Sequence, residues 1–169
     1  KKLELLLNAS KDLETFAEAV QTEQGDWREY NVEDFRRAFS KLNIRDNKRS
    51  NLLLRRIHYH IQGSEEAPLR GRDVVEVEHI LPISPTPGGW WVTEERFSLV
   101  NNAENHVDTY KYRLSNQTLL HLKWNRRAQN FPFPQKCEHY SQSQIAMTTQ
   151  LIDQDDMDWT TEKIEERGV

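Results

Sequence analysis

Apolar residues recur at three- and four-residue steps at the start of this chain. Leu3, Leu6, Leu7, Leu13, Phe16, Ala17 and Val20 make one stripe, which predicts an amphipathic helix. Gly25-Asp26 breaks the pattern. Asn31 is placed to cap a second helix, with Glu33 and Asp34 in the first turn and Val32, Phe35, Phe39 and Leu42 as its stripe. A third helix carries Leu53, Leu54, Ile57 and Ile61 on one side and Arg55-Arg56 on another. From Gln62 to Asp73 there are two glycines and a proline and no apolar periodicity, which marks the best internal boundary. The expected organisation is a helical segment over 1–62, a linker over 63–73 and a second domain over 74–169. The helical segment is either the end of an upstream domain or a packing layer.

Beyond the boundary the period changes. Val74-Val75-Glu76-Val77 reads as a strand that ends at Glu78-His79, before Pro82 removes a ladder donor. Ser84-Pro85-Thr86-Pro87-Gly88-Gly89 is a loop by composition. It leads to Trp90-Trp91, read as a cover for the core in preference to a base-stacking lid. In Glu94 to Tyr112 a turn is expected at Asn101-Asn102, and Asn105 to Asp108 could begin a helix leading to Leu114. Gln117 to Leu122 predicts a second strand and Trp124 to Gln129 a helix, stopped before Phe131-Pro132-Phe133-Pro134. Further helices are expected over Gln135 to Tyr140, Ser143 to Ile152 and Thr161 to Arg167. The fold class is therefore α+β and mostly helical.

At 169 residues the chain suffices for one ordinary domain, or a small module with a helical appendage. It starts at Lys1, as expected of a piece of a longer protein. Cys137 is the only cysteine, so neither an internal disulfide nor a Cys-rich zinc site can form. No apolar run approaches the roughly 20 residues that span a bilayer, and the start is charged and amphipathic, so a cytoplasmic location without membrane contact is expected. The net charge of −4 hides segregation. Thr109 to Lys136 holds Lys111, Arg113, Lys123, Arg126, Arg127 and Lys136 and no acidic residue. Acidic residues gather in the first 34 positions and after Glu138, with Asp153, Asp155, Asp156 and Asp158 in one cluster. Such a basic window attracts a polyanion, although a charge run alone is more often a solvated face.

The chemistry follows from the strand end. Hydrolysis of a phosphodiester needs a base, a cation on the developing negative charge and help for the leaving oxygen. His79 can accept a proton near neutral pH. Glu78 and Asn125 offer hard oxygen ligands to a magnesium-like ion. Asn116 can accept the other imidazole proton and so fix which nitrogen of His79 faces the water. In a regular strand Glu78 and His79 would diverge, and they converge only if the strand bends or ends there.

These residues resemble a family. Val77-Glu78-His79-Ile80-Leu81-Pro82, Arg113-Leu114-Ser115-Asn116-Gln117-Thr118-Leu119-Leu120, the stretch from Asn125 to Asn130, Phe133-x-x-Lys136 and the tail Trp159-x-x-x-x-Ile164-x-x-Arg167 look like the HNH nuclease domain at the C-terminus of GmrSD-type modification-dependent restriction enzymes. Similar domains occur in other phage-defence nucleases. The resemblance spans about residues 74 to 167 in separated blocks. It implies a ββα-metal core with surrounding helices, His79 as general base, Asn116 as its orienting residue, and Glu78 and Asn125 as ligands of Mg²⁺ or Mn²⁺. Glu78 stands where many HNH domains have aspartate and Asn125 where many have histidine, giving a His-Asn-Asn arrangement.

Asn130 is either a further ligand or a helix-end cap. Lys136 and Arg126 are the expected phosphate clamp, with Arg127 and Lys123 beside them; His121 could contact a phosphate, although a structural or surface role is favoured for it. His58 and His60 lie two apart on a helix and face different ways, while His106 and His139 are unpaired in sequence, so structural or surface roles are expected of them. The implied function is metal-dependent DNA cleavage in restriction or anti-phage defence. The implied partners are DNA, an upstream NTPase or sensor domain and, for double-strand cleavage, a second copy. No phosphate-cradling glycine loop occurs, so no NTP hydrolysis is expected from these residues. Two rivals are a nucleic-acid-binding module without turnover and a helical protein-interaction domain.

Overall fold

The architecture comes from a computed structural model, which describes residues 32–62, 74–93, 96–100, 103–153 and 155–168. The helix expected over Leu3 to Val20, the Asn31 cap, the Gly63 to Asp73 stretch and the Asn101-Asn102 turn lie outside them. The chain divides into two compact units, 1–40 and 41–168. In the first, helix α1 (Val32–Ser40) has Glu33 and Asp34 in its first turn and Arg37 in its last, which suits the helix dipole. Phe35 and Phe39, one turn apart, stack with ring centroids 5.7 Å apart.

The second unit is α+β and centres on a two-stranded antiparallel sheet, β1 (Val75–His79) and β2 (Gln117–His121). Val75 pairs with His121 and His79 with Gln117, so the ladder is regular to the last residue of β1. Helix α2 (Asn47–Gln62) begins at Asp46, whose carboxylate accepts from the Lys48 and Arg49 backbone N–H groups. Its buried line is Ser50, Asn51, Leu54 and His58, whereas Leu53 and Ile57 are half-buried and Ile61 is 43% exposed. The stripe read from Leu53, Leu54, Ile57 and Ile61 is therefore displaced. Small and polar residues face inward because α2 packs against the strands and Asn51 Nδ2 donates to the Val75 carbonyl at 3.1 Å.

Between the strands the chain makes the Ser84 to Gly89 loop, helix α3 (Val107–Tyr110) and a 3₁₀ turn over Leu114–Asn116. Asn116 thus lies in the turn just before β2. Helix α4 (Leu122–Ala128) follows β2 without a loop, because His121 caps it: Nδ1 accepts from the Lys123 N–H at 3.2 Å. Gln129 then takes a left-handed conformation, φ 37°, that turns the chain into helix α5 (Phe133–Tyr140). Pro134 sits in the first turn of α5, where a missing N–H leaves no intrahelical bond unmade. Short helices α6 (Ala146–Thr149) and α7 (Thr161–Glu166) complete the unit. The long helix expected over Ser143 to Ile152 shrinks to one turn. Among the described residues no helix is long and apolar enough to cross a membrane.

The core brings together Ile80 and Leu81 after β1, Leu120 of β2, Ala128 of α4, Phe133, Cys137 and Tyr140 of α5, and Trp159 and Ile164 near the end. Trp91 belongs to it, with its indole N–H donating to the Asn130 and Phe131 carbonyls, and Trp90 packs against its edge. The tryptophan pair covers the core, as its sequence setting suggested.

Candidate active site

β1 delivers Glu78 and His79 to the centre of the unit, and they part there. Glu78, 5% exposed, faces α5: its Oε1 accepts from Lys136 Nζ at 2.6 Å and from the Tyr140 hydroxyl at 2.9 Å. No side chain of the described residues reaches Oε2, which is not among the buried unpartnered atoms. Burial pushes the Glu78 carboxyl up against the pull of Lys136, Tyr140 and the His79 backbone N–H. Burial pushes the Lys136 ammonium down against the pull of Glu78.

His79, 9% exposed, faces the other way, with its Nε2 3.3 Å from Gln117 Nε2 and its ring edge-on to Tyr112. Nδ1 takes no protein partner among the described residues and is not buried, so it keeps contact with solvent. Burial, with the Lys136 charge second, pushes the imidazole down to about 4. The ring is neutral at physiological pH. The strand ends at His79 without a bulge, so the alternation of side chains holds and Glu78 and His79 do not converge.

Asn116 is fully buried and does not meet the His79 ring. Its Oδ1 accepts from the Leu81 N–H at 2.8 Å and the Trp159 indole at 3.1 Å, and its Nδ2 donates to the Leu81 and Lys111 carbonyls. The Asn116 carbonyl also accepts from Ile80 N–H. Asn116 therefore holds the backbone that leaves His79, and the side chain beside the ring is Gln117. Sequence reasoning missed Gln117, which reads as an ordinary strand start; its pairing opposite His79 appears only with the register. Gln117 is anchored by donating to the Ile44 and Tyr112 carbonyls, and Arg167 clamps the Ser115 and Gln117 carbonyls at 2.6 and 2.8 Å.

Asn125 comes from α4 to the middle of β1. Its Nδ2 donates to Glu76 Oε2 at 3.1 Å and lies 3.4 Å from the Val77 carbonyl, while Oδ1 takes no hydrogen bond. Asn130 neither caps α4 nor joins Asn125: it donates to the Ser84 carbonyl at 2.9 Å and ties the turn after α4 to the proline loop.

Lys136, expected as a phosphate clamp, is 0% exposed and corrects that reading. It lies on the inward stripe Phe133, Lys136, Cys137, Tyr140 of α5 and serves Glu78 and the His79 carbonyl. That one-turn spacing was the available signal. Arg113 is buried against Tyr110 and pairs with Glu165, and Lys111 pairs with Asp108. What stays exposed of the basic window is on α4: Lys123, Arg126 and Arg127. Lys123 and Arg127 lie over the Trp124 ring at 4.5 and 5.1 Å, and His139 stacks on it. His121 is committed through Nδ1 to its cap.

A family model described as the C-terminal domain of GmrSD restriction endonucleases matches residues 30–169. The chain belongs to that family. No curated protein and no solved structure matches it. In this GmrSD C-terminal domain, no cluster of three or more His, Cys, Asp or Glu side chains able to hold a metal occurs among the described residues. The donors that do suit an ion are oxygens, Glu78 Oε2 and Asn125 Oδ1, each open while the other polar atom of its side chain is held. Hard, sparse oxygen donors fit a magnesium-like ion that keeps most of its waters.

Proposed function

We propose that this domain is a metal-dependent DNA endonuclease of a restriction or phage-defence system, with an HNH-type ββα-metal site. The observation that carries the reading is the pattern of open atoms at β1. Glu78 and Asn125 each have one side-chain atom hydrogen-bonded by the protein and the other, Oε2 and Oδ1, without a side-chain partner, and His79 turns Nε2 inward to Gln117 and leaves Nδ1 on the solvent side. A metal ligand or a base must be reachable from solvent, and none of these three atoms is buried without a partner.

In this reading Glu78 and Asn125 hold Mg²⁺ or Mn²⁺, which when bound supplies positive charge to the scissile phosphate and the leaving 3′ oxygen. His79, neutral because it is buried, takes a proton from the attacking water at Nδ1 in the tautomer that carries its hydrogen on Nε2, with both Gln117 amide hydrogens spent on the Ile44 and Tyr112 carbonyls and none given to the ring. Asn116 fixes the turn that follows His79, and Gln117 backs the ring. Lys123, Arg126 and Arg127 on α4 contact flanking phosphates, with His121 able to offer only Nε2. The products carry a 5′ phosphate and a 3′ hydroxyl. One copy nicks one strand; a double-strand break takes two copies or two successive events. The upstream NTPase or sensor domain supplies the trigger.

A second reading, a DNA-binding module without turnover, is favoured by the buried Glu78–Lys136 pair, which occupies one carboxylate oxygen. Supercoiled plasmid separates the two. The protein is incubated with and without Mg²⁺ or Mn²⁺ beside His79→Ala and Asn125→Ala variants. Metal-dependent nicking that both variants lose supports the nuclease. Equal DNA binding by all three proteins with no cleavage supports the binding module.

A further inference from the structure

We propose that Glu76 is a positioning residue: it fixes which way the Asn125 carboxamide faces, so that the oxygen and not the nitrogen is presented to the cation. The inference rests on the reading of Asn125 as a ligand. A carboxamide turned by 180° keeps its shape and exchanges a donor for an acceptor, so an asparagine is a dependable oxygen ligand only if its surroundings choose the rotamer. Here the choice is made by two groups that can only accept. Glu76 Oε2 lies 3.1 Å and the Val77 carbonyl 3.4 Å from Asn125 Nδ2. Turning the amide would set its oxygen against both, and it would withdraw Oδ1 from the open side, where it takes no hydrogen bond.

Glu76 is otherwise without an explanation. It sits half-buried in the middle of β1, opposite Leu120, where a carboxylate is a poor strand former. Among the described residues no lysine or arginine pairs with it, and Asn125 is the side chain it meets. The contact is also long-range, 49 positions apart in the chain, so it belongs to the docking of α4 on β1 and not to local capping.

The experiment is a Mn²⁺ titration of the full 169-residue chain, following free Mn²⁺ by its electron paramagnetic resonance signal, with no DNA present. Glu76→Leu should weaken Mn²⁺ binding about 10-fold, in the range found when a residue orienting a ligand is removed. Glu76→Gln should stay within ~3-fold of the parent, because its side-chain oxygen still accepts from Nδ2. Glu76→Thr, a strand former too short to reach the amide, should behave like Glu76→Leu and replaces it if that variant melts. Equal weakening by Gln and Leu would mean that Glu76 acts through its charge, and unchanged binding in Leu and Thr would mean that it does not act at all; either overturns the proposal while Asn125→Ala still binds weakly. If Asn125→Ala takes up Mn²⁺ like the parent, or the parent takes up none, the ligand reading falls and this inference falls with it.

Discussion

Replacing Lys136 by methionine keeps the stem of a side chain that is fully buried on α5 and removes its ammonium. Glu78 Oε1 then loses its 2.6 Å donor and keeps only the Tyr140 hydroxyl, and the His79 carbonyl loses its 2.8 Å donor. Breaking a buried ion pair from one side leaves the other charge unpaired in low dielectric, which costs about 3–5 kcal/mol. For a unit of this size that lowers the melting temperature by roughly 11–19 °C. The pH dependence has a definite sign. Burial already holds the Glu78 carboxyl above its ordinary 4.5, and removing the cation raises it further. A raised folded-state value favours the fold fully below the unfolded value and loses that contribution as pH rises through the folded one, so the deficit widens from about pH 4.5 toward neutrality. A Glu78→Leu/Lys136→Met double variant should recover most of the loss. The assay is thermal unfolding of metal-free protein, read by tryptophan fluorescence at acid and neutral pH. A Lys136→Met protein that melts within about 2 °C of the parent yet loses salt-sensitive DNA retention would refute the reasoning, because that is how an outward phosphate clamp behaves.

Two further expectations concern His79 and α4. With its imidazole pushed down to about 4 from 6.5, His79 contributes stability that is fully present above 6.5 and lost as pH falls toward 4, on the order of 3 kcal/mol; denaturant midpoints of metal-free protein across that window should fall for the parent and stay flatter for His79→Phe. Alanine at Lys123, Arg126 and Arg127 together should lower the slope of log DNA affinity against log salt by about 2–3 while leaving the melting temperature nearly unchanged; an unchanged slope would remove α4 from the DNA contact.

The strand carrying Glu78-His79, its stop near Pro82, the second strand from Gln117 and the helix after it were legible from period and punctuation, and their boundaries fall within two residues of the structure. The spacing of Phe133, Cys137 and Tyr140 also carried the inward face of α5, a signal that the expectation of Lys136 as a phosphate clamp passed over. Partners were not legible. Nothing local to Asn116 says that its amide spans Leu81, Lys111 and Trp159, and nothing local to Gln117 places it against His79. Nor does the basic run from Lys111 to Lys136 show that three of its six cations are spent inside the protein or on ion pairs.

By itself the sequence determined the succession of elements and the chemical repertoire: helices from the 3.6-residue period, a short ribbon from alternation and proline, one histidine beside an acid, and amides spaced behind them. These are properties of neighbouring residues, and backbone sterics and apolar periodicity decide them without knowledge of the fold. Only the tertiary structure decided which polar atoms are used and which are free. Lys136 went inward because α5 buries the stripe it sits on, and Glu78 followed it because a buried ammonium needs a carboxylate. The ladder register set His79 on Gln117, and the docking of α4 set Asn125 on Glu76. Hydrogen-bond satisfaction in a core is a long-range condition, and it is what decides that Oε2, Nδ1 and Oδ1 are left without a side-chain partner.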